Sequence, residues 1–245
     1  MNRLLLLISP LILLCSSLFA GTIDPHTPDE KYVTYGTKFE YVYQICGKYE
    51  DDGNFCASAV AINDHWLLTA AHVVKNSKTC VVFNSEEKHQ IDEVIIHKDF
   101  ETSFGVADIA LCKTSKKLGL KFYPSLYEDS DEVGKVCSIS GYGVTGTFAN
   151  DIKISDGKRR AGSNIIDETQ KDLLICSPSK AGRTELEFLI CHGDSGGGLF
   201  IGNKLAGINS CVLAINRSPK SVYGDEAGHT RISKFVPWIR SVINK

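Results

Sequence analysis

The chain contains no run of basic residues, and its 27 Lys and Arg against 29 Asp and Glu leave a formal charge of −2. It therefore lacks the positive stripe that a phosphate backbone requires, which excludes nucleic acid as the main partner. No segment repeats and none is of low complexity, so solenoids and disordered arrays are excluded. Alternation of strands with helices is missing too. Only "KFVPWIRSVINK" at the C-terminal end reads as a convincing helix, with Pro237 tolerated in a first turn whose N–H groups lack intrahelical partners anyway. Metal-ligand spacing is also absent: Cys191 and His192 are adjacent, a poor arrangement for one ion. Neither a metal nor a cofactor is expected.

After the first twenty residues there is no long apolar run, so no membrane contact is expected once that segment is removed. The segment itself begins with Arg3, continues as "LLLLISPLILLC" and ends in "SSLFA" at Ala20. A positive start, a short apolar core and a small final residue make a secretory signal cut after Ala20. A lipid anchor on Cys15 is the rival reading, opposed by Leu14 where a small residue would stand. The expected location is secreted or periplasmic. Of nine cysteines, eight remain without Cys15, an even number suited to an oxidising compartment.

What is present is a series of short apolar runs between Gly, Asn, Asp and Ser: "YVYQICG", "FCASAVAI", "HWLLTAA", "TCVVF", "DEVIIH", "VADIALC", "GKVCSISGYG", "GGGLFI" and "KLAGINSCVL". This pattern predicts an all-β sandwich or barrel. At 245 residues the chain suits one large domain or two halves. The polar and irregular stretch "TSKKLGLKFYPSL", Thr114 to Leu126, is the best place for two halves to join.

One further stretch, "ICHGDSGGGLF", surrounds Ser195 with glycines, residues used where backbone bends sharply or is closely approached. His72 in "WLLTAAHVV" and Asp108 in "VADIALC" are likewise single ionisable groups inside apolar runs. Either alone reads as a satisfied buried polar group. Together they complete a mechanism, because a serine hydroxyl needs a neutral imidazole to take its proton and a buried carboxylate to orient that imidazole. "GDSGG" also satisfies the nucleophile elbow of α/β hydrolases, with Asp225 and His229 following in the required order. That reading fails on context: only fifty residues follow the serine, and no βα alternation carries the elbow.

"TAAH", "DIAL" and "GDSGG" in this order resemble the histidine, aspartate and serine motifs of the chymotrypsin-like serine proteases. "SISGYG" resembles that family's entry to its second barrel and "VPWI" its C-terminal helix, so the resemblance spans most of the chain after residue 20. It implies an all-β fold of two packed six-stranded antiparallel Greek-key barrels with a C-terminal helix. The expected division is a signal peptide over 1–20, an arm or propeptide over 21–33, a first barrel over 34–120, and a second barrel with the helix over 121–245. The implied activity is peptide-bond hydrolysis by a monomer acting on protein or peptide substrates. The alternative is a catalytically weak or inactive relative acting as a secreted binding protein, although none of His72, Asp108 and Ser195 has been lost.

The resemblance also assigns roles. The N–H groups of Gly193 and Ser195 form the oxyanion hole. Asp194 turns inward and is neutralised by a free amino terminus released by cleavage, for which "KYVTYG" at Lys31–Tyr32 is the nearest but poor match. Leu189 stands at the floor of the specificity pocket, with Val212 and Ala227 on its walls, implying a narrowed apolar pocket that disfavours Lys and Arg. His192 and His229 keep acidic side chains in play, while Ser210 offers backbone to an extended substrate. For the cysteines, Cys46 and Cys56 flank the turn signal "DDGN" and face each other across a hairpin. Cys80–Cys112 is expected from strands that should neighbour one another in the first barrel. Cys191–Cys211 follows, which leaves Cys137–Cys176.

Overall fold

The computed structural model describes residues 21–84, 87–102, 106–150, 153–154, 156–214 and 218–244. The expected signal peptide lies outside them. Seven strands make the first sheet, in the order Glu87–Gln90, Ser77–Asn84, Val42–Tyr49, Asn54–Ala61, Trp66–Thr69, Ala110–Lys113 and Glu93–Ile96. Its apolar residues, among them Val42, Ile45, Val60, Leu67, Leu68, Val82 and Leu111, are fully buried. Leu67 and Leu68 are neighbours on one strand and point to opposite faces, so the sheet is covered on both sides there.

In the second half, six strands close on themselves: Gly198–Ile201, Val136–Gly141, Arg160–Gln170, Leu173–Cys176, Asp225–Arg231 and Lys204–Ala214, the last pairing back with the first. The expected two barrels thus resolve into one closed six-stranded barrel and a curled half-barrel of seven strands. Helix α3, Val236–Ile243, has Pro237 in its first turn as the sequence predicts and buries Val236, Ile239 and Val242. Among the described residues, no helix is long and apolar enough to cross a membrane.

The arm is ordered and folded against the second half. Thr22–Ile23 forms a strand held between Thr145–Thr147 and Phe188–Leu189. Helix α1, Asp29–Gly36, follows and spans the boundary placed between residues 33 and 34. Its Asp29 takes two hydrogen bonds of 2.6 Å from the buried Arg160 guanidinium, which also bonds Asp156. Tyr32 is fully buried, with its ring 6.5 Å from that of Phe188. The arm is therefore built into the second half. The Lys31–Tyr32 bond of the poor match "KYVTYG" lies inside this packed helix.

Candidate active site

His72 sits in the four-residue helical turn α2, Ala71–Val74, which follows the strand Trp66–Thr69. Ala70 and Ala71 are fully buried, and their small side chains let this turn press against its neighbours. Asp108 lies just before the strand Ala110–Lys113 and is 2% exposed, so its carboxylate has little water to solvate it. Protein groups take the place of water. The His72 N–H donates to Oδ1 at 2.9 Å, His72 Nδ1 lies 2.7 Å from Oδ2, and the Ser210 hydroxyl donates to Oδ2 at 2.6 Å. Burial pushes the Asp108 carboxyl up, but the bonds from His72 and Ser210 outweigh it and hold the group below its ordinary value. Ionised Asp108 accepts only, so His72 Nδ1 carries a proton and donates it to the carboxylate. Nε2 faces the Ser195 hydroxyl at 3.0 Å. The structure thus brings together the three residues singled out from three distant stretches, and adds Thr230, whose hydroxyl donates to the Asp108 carbonyl at 3.0 Å.

The turn carrying Ser195 is held from below. Gly196 has φ +83°, and a Cβ there would lie 2.1 Å from the Ser58 carbonyl oxygen and the Thr69 hydroxyl. Glycine is the residue that fits both conditions. The Val144 N–H donates to the His192 carbonyl at 2.7 Å. That bond turns the His192–Gly193 peptide so that the Gly193 N–H points the opposite way, because a trans peptide aims its C=O and N–H apart. Two N–H groups, of Gly193 and Ser195, are what a developing oxyanion requires.

Asp194 is fully buried and accepts N–H groups of Cys191, Gly143 and Gly21 at 2.8, 2.9 and 2.7 Å. Desolvation is nonetheless the largest influence and pushes its carboxyl up to about 7. Gly21, the residue after the expected signal cut, takes the place that "KYVTYG" does not. It has φ +53°, and a Cβ on it would lie 1.8 Å from the Phe188 ring.

An open cavity of about 500 Å³ beside Ser195 is lined by Val144, Ile190, Cys191, His192, Ser210, Cys211, Val212, Pro219, Lys220 and Ser221. His192, Ser210 and Val212 are among these lining residues. Leu189, Ala227 and His229 are fully buried and are not among them. Leu189 pairs with Thr22 of the arm, and Ala227 is enclosed between Cys176 and Val212 on the neighbouring strands. His229 points to Asn209, whose amide nitrogen donates to the Ser140 and Asp194 carbonyls, leaving its Oδ1 for His229 Nδ1 at 2.9 Å. Burial pulls the His229 imidazole down to about 3, so it stays neutral and offers no charge to a substrate. Val144 and Lys220 are lining residues that the linear motifs do not mark.

Of the disulfides, Cys46–Cys56 is present, the two residues standing directly opposite in the hairpin with Cα atoms 4.1 Å apart. Cys137 and Cys176 face one another with sulfurs 3.9 Å apart. Cys80 and Cys112 are on strands that are not adjacent in the sheet order, rather than on neighbouring strands as expected, yet the two thiols lie close enough to act on one another electrostatically. Cys191 and Cys211 both line the cavity beside Ser195.

The Trypsin family model matches residues 35–239. Kallikrein-7 from Homo sapiens is 27% identical over 199 residues, covering 76% of this chain and 77% of that protein. Chymotrypsin from Phaedon cochleariae is 27% identical over 206 residues, covering 74% and 69%. Among solved structures, HL collagenase aligns with a TM-score of 0.69 at 18% identity, covering 84% of this chain and 94% of that one. Neuropsin, a serine protease expressed in the limbic system of mouse brain, aligns at 0.67 and 19%, covering 84% and 95%. Such structural likeness speaks for the fold, and the family model speaks for descent over most of the length: the chain belongs to the trypsin family.

Proposed function

We propose that the chain is an exported serine endopeptidase that cleaves peptide bonds through an acyl-enzyme on Ser195. The observation that supports this most is the continuous path from the Ser195 hydroxyl to His72 Nε2 at 3.0 Å and from His72 Nδ1 to Asp108 at 2.7 Å. Ser195 Oγ attacks the substrate carbonyl carbon while its proton passes to His72 Nε2. The carbonyl oxygen gains charge opposite the Gly193 and Ser195 N–H groups. The C–N bond then breaks, and His72 returns the proton to the leaving amine. Water, deprotonated by the same imidazole, hydrolyses the ester and restores Ser195. Asp108 keeps its charge throughout and stabilises the imidazolium.

The proposed signal cleavage adds a second element to the reading. A cut after Ala20 turns the Gly21 nitrogen into an ammonium beside the Asp194 carboxylate, so removal of the signal would itself complete the site.

The test is peptide hydrolysis by the chain beginning at Gly21. Ser195→Ala and His72→Ala should each lower kcat by ~10⁴–10⁶, and the double variant by little more, since the two act as one unit. Undiminished turnover by Ser195→Ala would refute the mechanism. An inert wild type that still captures peptides would assign the chain to the binding proteins instead.

A further inference from the structure

Ser58 is a fully buried hydroxyl on the strand Asn54–Ala61 of the first sheet, 135 residues in sequence from the turn it touches. Its Oγ donates to the carbonyl of Gly193 at 3.0 Å and accepts the N–H of Tyr142 at 2.9 Å. Its own N–H donates to the carbonyl of Ser195 at 2.9 Å. One residue thus bonds both members of the oxyanion pair, in each case through the carbonyl, leaving their N–H groups free to meet a substrate.

The Tyr142 contact extends the hold. Three successive N–H groups, of Tyr142, Gly143 and Val144, go to Ser58 Oγ, Asp194 Oδ1 and the His192 carbonyl. The His192–Gly193 peptide is fixed at its C=O by the Val144 amide. The Gly193–Asp194 peptide is fixed at both ends, its C=O by the Ser58 hydroxyl and its N–H by the Cys191 carbonyl at 3.0 Å. Of these holds, that of Ser58 alone comes from a side chain. Gly193 has φ +91° and no side chain to restrict it, so without the Ser58 bond its C=O loses its anchor and the Asp194 N–H alone holds the second peptide.

We infer that Ser58 is a positioning residue for the oxyanion hole, its hydroxyl holding the Gly193–Asp194 peptide so that the Gly193 N–H meets the developing charge. The inference rests on the peptidase reading and deepens it. Transition-state stabilisation by such donors depends on their being aimed beforehand, and loss of a whole donor costs ~10²–10³ in rate. Loss of the bond that aims one is expected to cost about 10–100-fold in kcat, with KM within about twofold.

The experiment compares Ser58→Ala with Ser140→Ala, which removes a buried hydroxyl bonded at 2.9 Å to the Arg160 carbonyl. Rates are expressed per active site, titrated with a phosphonylating reagent that reports intact Ser195. Ser58→Ala should lower kcat, weaken a peptide aldehyde that forms a tetrahedral adduct by the same factor, and leave the pH profile of kcat/KM in place. Ser140→Ala should lower Tm without changing kcat per site. If Ser58→Ala does not fold, Ser58→Cys, similar in size with a weaker donor, should give a smaller loss of the same kind. An active wild type whose Ser58 variants keep full kcat and aldehyde affinity per site overturns the assignment of Ser58 alone. A wild type that neither reacts with the reagent nor hydrolyses peptides overturns the peptidase reading and this inference with it.

Discussion

The backbone nitrogen of Gly21 donates to Oδ2 of Asp194 across 2.7 Å, in a site where Asp194 is fully buried. A neutral amide there supplies one hydrogen bond and no charge, whereas the α-ammonium of a chain starting at Gly21 supplies both. A buried carboxylate left without its counter-charge costs about 3–5 kcal/mol.

The first prediction compares a chain starting at Gly21 with one retaining Ala20. The longer form should lose ~10²–10³ in kcat/KM, because Asp194 belongs to the turn that carries Ser195. Stability should distinguish the two as well. With Ala20 attached, the Asp194 carboxyl stands at about 7 in the folded chain, above its unfolded 3.8, so the folded state holds the proton more tightly. Its contribution to stability is present below about pH 4 and is lost as pH rises through 7, by on the order of 4 kcal/mol. The ammonium of the shorter form should abolish that loss. Urea unfolding of both forms at pH 5 and pH 8 measures it, and equal pH dependence would separate Gly21 from Asp194.

A second pH effect has the opposite sign. The His229 imidazole is drawn from 6.5 to about 3 by burial, and its Nε2 has no hydrogen-bond partner among the described residues. The unfolded chain binds this proton more readily, so stability is complete above pH 6.5 and falls as pH drops towards 3. His229→Gln, which keeps a donor for Asn209, should flatten the unfolding free energy between pH 6.5 and 4. An unchanged slope would show that another group sets the acid sensitivity.

Substrate choice follows from the cavity wall. No described residue lining it carries a carboxylate, so a buried guanidinium or ammonium would lack a partner there. Peptides with Val or Leu before the cleaved bond should exceed matched Arg and Lys peptides in kcat/KM by at least about tenfold. Faster turnover of Arg would contradict this. A Glu preference would assign the selection to His192 and Lys220, the cationic or titratable groups on the wall.

The hairpin bond closes a short loop, and the chain-entropy relation gives it about 3 kcal/mol. Cys46→Ser with Cys56→Ser should lower unfolding stability by that order. Mass mapping without reduction should recover the Cys46–Cys56 crosslink, and mild oxidation should next join Cys137 to Cys176, whose sulfurs already lie 3.9 Å apart. Recovery of Cys137 and Cys176 as separate thiols after that oxidation would contradict the pairing.

Much of the site could be read along the chain because His72, Asp108 and Ser195 each interrupt an apolar run, a local contrast that needs no partner to be noticed. Cys46 and Cys56 were equally visible, since a turn signal between two β runs places opposite residues side by side. The strand Arg160–Gln170 was not. Eight of its residues are Arg, Gly, Ser, Asn, Asp, Glu, Thr or Gln, and its buried members are satisfied from afar, Arg160 by Asp29 and Asn164 by the Phe188 carbonyl. Helix α1 has eight residues, too few to be stable in isolation, and is held by the packing of Tyr32 and by the Arg160 bond.

Local order along the chain, then, determined which groups could form a nucleophile, a base and an acid, because chemical type and apolar context are properties of neighbours in sequence. Tertiary structure alone decided which groups face water, which face substrate and which face each other. Leu189, Ala227 and His229 are buried between strands, and Gly21 and Ser58 reach the turn carrying Ser195 through contacts spanning 173 and 135 residues. Burial and hydrogen-bond satisfaction depend on what packs from every side, and that exists only once the chain has closed on itself.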